Sequence, residues 1–371
     1  MSIIPVNRPL LAGNEKRYLA ECIDTGWVSS EGPFVRRFEE GMAARCGRTH
    51  GVALANGTAA LEIAMAALNL QPGDEVILPT FTIISCAAAI VRAGATPVPV
   101  DCDAVTWNID PVQVEAHITP RTRAIMAVHI YGLPADMDAI LAIAKKHGLA
   151  VIEDAAEQLG QTYRGRPIGS FGDLSTFSFY PNKQVTTGEG GMVLANDDAL
   201  AARCRSLRNL CFDKERRYIH EELGWNQRMS NVQAAIGVAQ LERLDEVVAH
   251  KRALGQRYRD LLGGHPLLQL PLHSTQDAEN IYWVYGGVLA DAVPFDAVEA
   301  IKRMRAEGVD CRHFFWPMHL QPALIKRGLC SNATCPNAER LAQRGFYLPS
   351  GPGTTREEAE QSAAALRKIL T

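Results

Sequence analysis

Four short stretches of this chain carry residues that could do chemistry together. Lys183 stands in a polar, glycine-rich loop, within "FGDLSTFSFYPNKQVTTGEGG", straight after the alternating run Ser175-Thr176-Phe177-Ser178-Phe179. Asp154 ends an apolar run in "AVIEDAAEQLG", flanked by Glu153 and Glu157. An acid at the end of a buried strand needs a partner, although Asp154 could also cap the helix that follows. Asn56-Gly57-Thr58 opens a third stretch. Asn-Gly between apolar runs is a hairpin signal, but the residues that follow are helix-forming and lack a strand pattern. A helix start there would offer free N–H groups and a positive dipole end to an anion, with Gly57 allowing close approach and Thr58 adding a hydroxyl. Phe81, in "PTFT", is either a flat wall for a planar ligand or core packing.

An anion-binding helix start, an aromatic wall, a buried carboxylate and a lysine on one crevice suit pyridoxal 5′-phosphate (PLP). The phosphate needs donors, the ring needs a face, its nitrogen needs an acid that keeps it protonated, and the aldehyde needs a lysine amine. The "TTGEGG" after Lys183 would let the backbone turn tightly around such a group. A dinucleotide-binding dehydrogenase would instead need G-x-G-x-x-G after the first strand, which this chain lacks there.

These residues must be held by elements that the pattern also outlines. From residue 51 to about 200, short apolar runs alternate with helical stretches: "GVALAN" leads to "GTAALEIAMAALNL", "DEVILP" to "TIISCAAAIVRAG", "RAIMAVHI" to "DMDAILAIAKKHG". The runs lack period-two alternation, as strands buried on both faces do. Strands separated by helices imply right-handed crossovers and a three-layer α/β sandwich on a mainly parallel sheet. In open α/β sheets ligands bind outside the carboxyl ends of the strands, which is where the candidate residues fall. "STFSF" and "GGMVLAN" read as two further strands flanking the lysine loop, and one long helix is expected from about Ser230 to Leu262. The Pro- and polar-rich "HPLLQLPLHSTQDAEN" marks a crossing into a smaller α+β unit. The expected division is a large domain over 31–245 and a small C-terminal domain over 246–371, with 1–30 packed near the latter.

Composition narrows the function classes. With 371 residues and 47% hydrophobic residues the chain can build a large core. A formal net charge of −3 and the absence of any Lys/Arg-rich run argue against nucleic-acid binding. No apolar run is long enough to span a membrane, and the N-terminus has no signal-peptide pattern. Nine cysteines without a C-x-x-C pair suggest reduced thiols and a cytoplasmic protein. Cys330 and Cys335 lie near His319 in the chain, but no second ligand pair completes a metal site, so no metal is expected.

Several blocks in order, "ANGTAALEIAMAALNLQPGDEVILPTFT", "VHIYGLPADMDAI", "VIEDAAEQLG", "SFGDLSTFSFYPNKQVTTGEGGMVLAND" and "LGWNQRMSNVQAAIGVAQLERLDE", resemble the DegT-type sugar-nucleotide aminotransferases over essentially the whole chain. These are PLP enzymes of fold type I. "DTGWVSSEGPFVRRFEE", "EDAAE" and "CRHFFWPMH" are most similar to the branch that aminates GDP-linked 4-keto-6-deoxyhexoses. The resemblance implies that Lys183 bonds PLP covalently and shuttles a proton to the sugar C4, and that Asp154 bonds the pyridine nitrogen. It implies that Gly57, Thr58 and Ser178 hold the phosphate, that Phe81 stacks on the ring and that Glu157 lies near the phenolic oxygen. It further implies L-glutamate as amino donor and a homodimer with shared active sites, into which Asn226 and Arg228 reach from the partner subunit. His313, with Trp27 and Phe314, would face the sugar nucleotide. An ion pair for Arg228, a core position for His313, and packing for Trp27 and Phe314 are the structural alternatives. Two departures from the family pattern, Pro181 and "LPSGPG", fall in loops expected to face substrate. They leave the cofactor chemistry alone but keep a UDP- or dTDP-linked keto sugar as another reading; a non-catalytic regulatory relative that keeps the fold is a separate one.

Overall fold

The structure, a computed structural model, describes residues 3–213, 215–220, 222–330 and 333–371. The chain opens with helices α1 (Glu15–Thr25) and α2 (Pro33–Arg45) and then alternates as its pattern predicts. The order is β1 (His50–Leu54), α3 (Gly57–Ala67), β2 (Glu75–Pro79), α4 (Ile84–Arg92), β3 (Thr96–Val100), α5 (Pro111–Ala116), β4 (Thr122–Val128), α6 (Met137–His147) and β5 (Ala150–Asp154). A short hairpin, β6 (Thr162–Tyr163) and β7 (Arg166–Pro167), precedes β8 (Leu174–Ser178) and β9 (Gly191–Ala195), and helix α7 (Asp198–Arg208) follows.

Seven strands form one sheet in the order β1-β9-β8-β5-β4-β2-β3. Only β9 runs against its neighbours, pairing antiparallel with both β1 and β8. The sheet is therefore mixed and mainly parallel, with helices on both faces. One apolar cluster fills the face under α3 and α4 and includes Leu54, Leu78, Met126 and Ile152. A second fills the opposite face and includes Ala53, Ile77, Ile125 and Val151. Successive strand residues point to opposite faces, so Asp154 shares the α3/α4 face with Ile152, while Glu153 points the other way.

The helix ends carry their own polar solutions. Asn56 caps α3 by accepting from the Ala59 N–H, which settles the Asn-Gly pair as a helix start rather than a hairpin. Asp136 caps α6, and Gly148 closes it in the left-handed conformation, φ 65°. The single helix expected over 230–262 is two: α8 (Asn231–Leu241), with a capping box between Ser230 and Gln233, and α9 (Leu244–Leu262). Arg243 leaves helical geometry at φ −111°, ψ 12°, and Asp245 and Glu246 then favour the positive end of a new helix.

Helix α9 leads to a second, smaller sheet, entirely antiparallel, with strands β10 (Leu268–Gln269), β11 (Tyr285–Leu289), β12 (Arg312–His313) and β13 (Gly345–Leu348) in the order β10-β11-β13-β12. Its core includes Tyr258 of α9, Tyr285, Phe346 and, from the closing helix Arg356–Leu370, Leu366. The N-terminal segment serves both sheets. Ile4 bridges to Val309 beside the small sheet, whereas α1 lies against α8, with Tyr18 Oη donating to Glu242 at 2.7 Å. Among the described residues no helix is long and apolar enough to cross a membrane, and no group of His, Cys, Asp or Glu is arranged to hold a metal ion.

Candidate active site

Antiparallel insertion of β9 aligns three chain segments. Gly191 pairs with Leu54 at the carboxyl end of β1 and with Ser178 at the carboxyl end of β8. A Cβ at Gly191 would fall 2.2 Å from the Asn56 carbonyl oxygen, and one at Gly57 would fall 2.6 Å from Ser178 Cβ. Glycine at both positions lets the start of α3 close onto the end of β8. The N–H groups of Gly57 and Thr58 take no acceptor among the described residues, and Thr58 Oγ1 lies 2.9 Å from Ser85 Oγ. Free N–H groups, a helix N-terminus and the hydroxyls of Thr58, Ser85 and Ser178 thus meet at one end of a cleft. The cleft's volume is about 720 Å³.

Asp154 and Glu157 line the same cleft. Asp154 accepts from the Ala156 N–H at 3.1 Å, from the Cys86 thiol at 3.3 Å and from Thr176 Oγ1 at 3.4 Å. Burial pushes its carboxyl upward, against the pull of those bonds and of Lys183. Glu157 accepts from the Tyr131 N–H at 2.6 Å, and burial pushes its carboxyl up to about 8 despite the nearby Lys183. Glu153, the third acid of this stretch, has a structural role on the opposite face. It accepts from the N–H groups of Gly169 and Phe171 and from His129 Nε2 at 3.1 Å. His129 Nδ1 accepts from the Ala135 N–H, so the ring proton sits on Nε2.

Lys183 projects from the β8–β9 connection, its Nζ 4.0 Å from Glu157 Oε1 and 3.7 Å from the Trp283 ring centroid. Burial lowers its amine, opposed by the charges of Glu157 and Asp154. Several hydrogen bonds hold the loop that presents it. Lys183 N–H donates to the Tyr180 carbonyl, Thr187 N–H and Thr186 Oγ1 to the Phe179 carbonyl, and Gln184 Nε2 to the Glu157 carbonyl. Gly188, at φ 80°, supplies the left-handed turn.

The other expected site residues are placed differently. Phe81 is fully buried and does not line the cleft; it packs against Tyr131, Phe314 and Phe315 at ring distances of 5.8 to 6.0 Å. Ile83, two residues on and 45% exposed, lines the cleft in its place, with Ala156. The chain bends over 80–82 just after β2, with the Thr82 N–H donating to the Thr80 carbonyl, and this bend leaves Phe81 in the core and Ile83 outside it. Phe314 is likewise core, in contact with Trp107 and Tyr131, whereas Phe315 lines the cleft. Trp27 and His313 are exposed away from the cleft of their own chain. Asn226 and Arg228 bond each other, Arg228 Nε to Asn226 Oδ1 at 3.0 Å, outside that cleft, while Gln227 between them lines it. Of the two departures, Pro181 is half-buried between the cleft residues Tyr180 and Asn182. Ser350 of "LPSGPG" is buried rather than substrate-facing, since the loop packs on the N-terminal segment: a Cβ at Gly351 would meet Asn7 Nδ2 at 2.7 Å.

Trp283, Phe315 and Tyr347, which complete the cleft, carry no local signal in the sequence. They arrive from the second sheet. The residues present fit PLP: an anion cradle at α3, a buried acid poised for a cationic nitrogen, and a buried amine.

Residues 9–367 match the model of the DegT/DnrJ/EryC1/StrS aminotransferase family. The chain is similar to the GDP-perosamine synthase of Caulobacter vibrioides, 44% identical over 99% of this chain and 98% of that one. It is similar to the GDP-perosamine synthase of Escherichia coli O157:H7, 40% identical over 96% of each chain. Among solved structures it is similar to DesI crystallised in the presence of its TDP-sugar product, with a TM-score of 0.90 and 35% identity, covering 100% of this chain and 93% of that one.

Proposed function

This chain belongs to the DegT/DnrJ/EryC1/StrS aminotransferase family, and from that premise we propose that it transfers the amino group of L-glutamate to C4 of GDP-4-keto-6-deoxy-D-mannose, forming GDP-perosamine. It is a PLP-dependent sugar-nucleotide aminotransferase. The observation that carries the reading is the convergence of Lys183, Asp154 and the start of α3 on one cleft.

When bound, PLP supplies an aldehyde that amines can join and a protonated ring that accepts an electron pair. Gly57, Thr58 and Ser178 would hold its phosphate, and Asp154 would keep a proton on the ring nitrogen by charge and hydrogen bonding. Lys183 would bond the aldehyde between turnovers. Released when the amine of glutamate takes its place on the aldehyde, its Nζ would remove the Cα proton of glutamate and later deliver a proton to C4 of the sugar. Burial lowers that amine, which favours the neutral form a base needs. Glu157 stands beside the amine, its Oε1 4.0 Å from Nζ. Ile83 and Ala156, which line the cleft, would offer apolar surface to the ring. Asn226 and Arg228 lie outside the cleft of their own chain, which supports a homodimer in which they serve the partner's site.

A dTDP- or UDP-linked keto sugar is the second reading, favoured by the TDP-sugar product of the similar DesI. The test supplies glutamate with each of the GDP-, dTDP- and UDP-linked 4-keto-6-deoxy sugars and identifies the products by mass spectrometry and NMR. Formation of a GDP-linked 4-amino sugar with 2-oxoglutarate is expected. No amine on any sugar would overturn the enzymatic reading, and amination of another nucleotide's sugar alone would overturn the choice of GDP.

A further inference from the structure

Behind the wall of the cleft lies a second lysine that none of these roles uses. Lys251, on α9, is 2% exposed. Its Nζ donates to the Trp283 carbonyl at 2.8 Å and to the Ser350 carbonyl. These acceptors come from separate segments, one just before β11 and one just after β13. Ser350 ties the two together again, accepting from the Tyr285 N–H at 3.0 Å and donating to the Leu348 carbonyl at 2.9 Å.

Trp283 faces the cleft with its other end. Its indole Nε1 donates to the Asn182 carbonyl at 2.8 Å, and its ring lies 3.7 Å from Lys183 Nζ. An unbroken run of contacts therefore joins the two lysines. Lys251 grips the backbone of Trp283, the indole grips the residue before Lys183, and the indole face meets the Lys183 amine.

An unpaired ammonium is an expensive thing to bury. Burial is the sole cause that moves Lys251, lowering its amine to about 7, and no carboxylate among the described residues offsets it. What it supplies is donors for two buried carbonyls that would otherwise stand empty. A methionine would fill the same space and leave both carbonyls unpaired.

We propose that Lys251 is a positioning residue for the transfer reaction, fixing Trp283, which in turn fixes the Lys183 amine. The proposal rests on Lys183 being the reactive amine. A lysine amine ends a flexible four-carbon stem, and an aromatic face attracts its charged form at short range. The indole also pins the backbone at Asn182, so Trp283 restrains both the base and the tip of that stem. Without the grip on its carbonyl, Trp283 can swing with the loop before β11, and Nζ loses the restraint that keeps it aimed into the cleft.

The test compares Lys251→Met and Trp283→Phe with the unaltered protein. The first readout uses cofactor-free protein: the rate of reductive methylation of Lys183 by formaldehyde and a borohydride donor, followed by peptide mass spectrometry. The second is kcat and KM for the keto sugar, measured separately on loaded enzyme. Release of the clamp is expected to speed methylation of Lys183 in both variants. It should lower kcat of Lys251→Met by on the order of 10²-fold, with a much smaller change in KM. If Lys251→Met does not fold, Trp283→Phe decides by its methylation rate. An unchanged methylation rate in the folded variants overturns the proposal whatever the kinetics. Lys183→Ala separates the two readings: full turnover there would remove the reactive lysine itself, whereas a dead Lys183→Ala beside unaffected clamp variants would remove only the clamp.

Discussion

Lys183 Nζ stands 4.0 Å from Glu157 Oε1, with both side chains nearly closed off from solvent. Burial disfavours charge on each, so the amine moves down and the carboxyl moves up to about 8. Their ordinary values, 10.5 and 4.5, are thereby drawn toward each other. Burial thus narrows the gap across which a proton would pass between the two groups.

Glu157→Gln tests the acid. A carboxyl raised in the folded state holds its proton there but not in the unfolded chain across the interval from 4.5 to about 8. The stability it contributes is complete below that interval and is lost as pH rises through it. Thermal unfolding of cofactor-free protein should therefore show Glu157→Gln gaining on the parent between about pH 5 and about pH 9. A constant difference across that range would show that Glu157 ionises normally.

Lys183→Ala should fold, bind the phosphate end of PLP at α3 and lose turnover by on the order of 10⁴-fold or more. Its absorbance spectrum should lack the band of a lysine-bonded cofactor. Near-normal transamination in this variant would mean that another group is the base.

Asp154→Asn keeps the shape of the side chain and removes the charge that would hold the ring nitrogen protonated. A fall in kcat on the order of 10²- to 10³-fold is expected, with cofactor affinity lowered less. Stopped-flow measurement of the glutamate half-reaction isolates the step.

Gly57→Ala sets a Cβ 2.6 Å from Ser178 Cβ, so α3 must back away from β8. Weaker PLP binding is expected in a titration followed by absorbance. Adding Ser178→Gly should recover folding stability without restoring the affinity, because the Ser178 hydroxyl is then missing.

Arg228→Ala and Lys183→Ala test the shared site. If Arg228 serves the partner, a hybrid dimer of the two variants contains one intact site, and mixing the two inactive proteins under exchange conditions restores activity. If both residues act within one chain, the mixture stays inactive.

Much of the site was legible before folding because its signals are local. Asp154 ends a buried run, Gly57 follows a capping asparagine, and Lys183 interrupts two strands; each is marked by its immediate neighbours. The aromatic wall was misread for the same reason. "PTFT" offers Phe81 as the conspicuous ring, but the bend over 80–82 buries it among Tyr131, Phe314 and Phe315 and leaves Ile83 outward. The helix expected over 230–262 divides at Arg243, where the apolar stripe alone gives no warning.

The amino-acid order by itself marked the strands and crossover helices of the large sheet, the family, and the acid, amine and helix start that meet in the cleft. Hydrogen-bond periodicity, capping and turn chemistry act within a few residues, and the sequence records them directly. The tertiary structure alone decided which rings face the cleft and which distant residues meet the lysine loop. Trp283 reaches the Lys183 loop from 101 positions beyond Asn182, and Lys251 meets Ser350 across 99. Such meetings depend on how two sheets and a helix close around a shared volume, and no spacing along the chain encodes that closure.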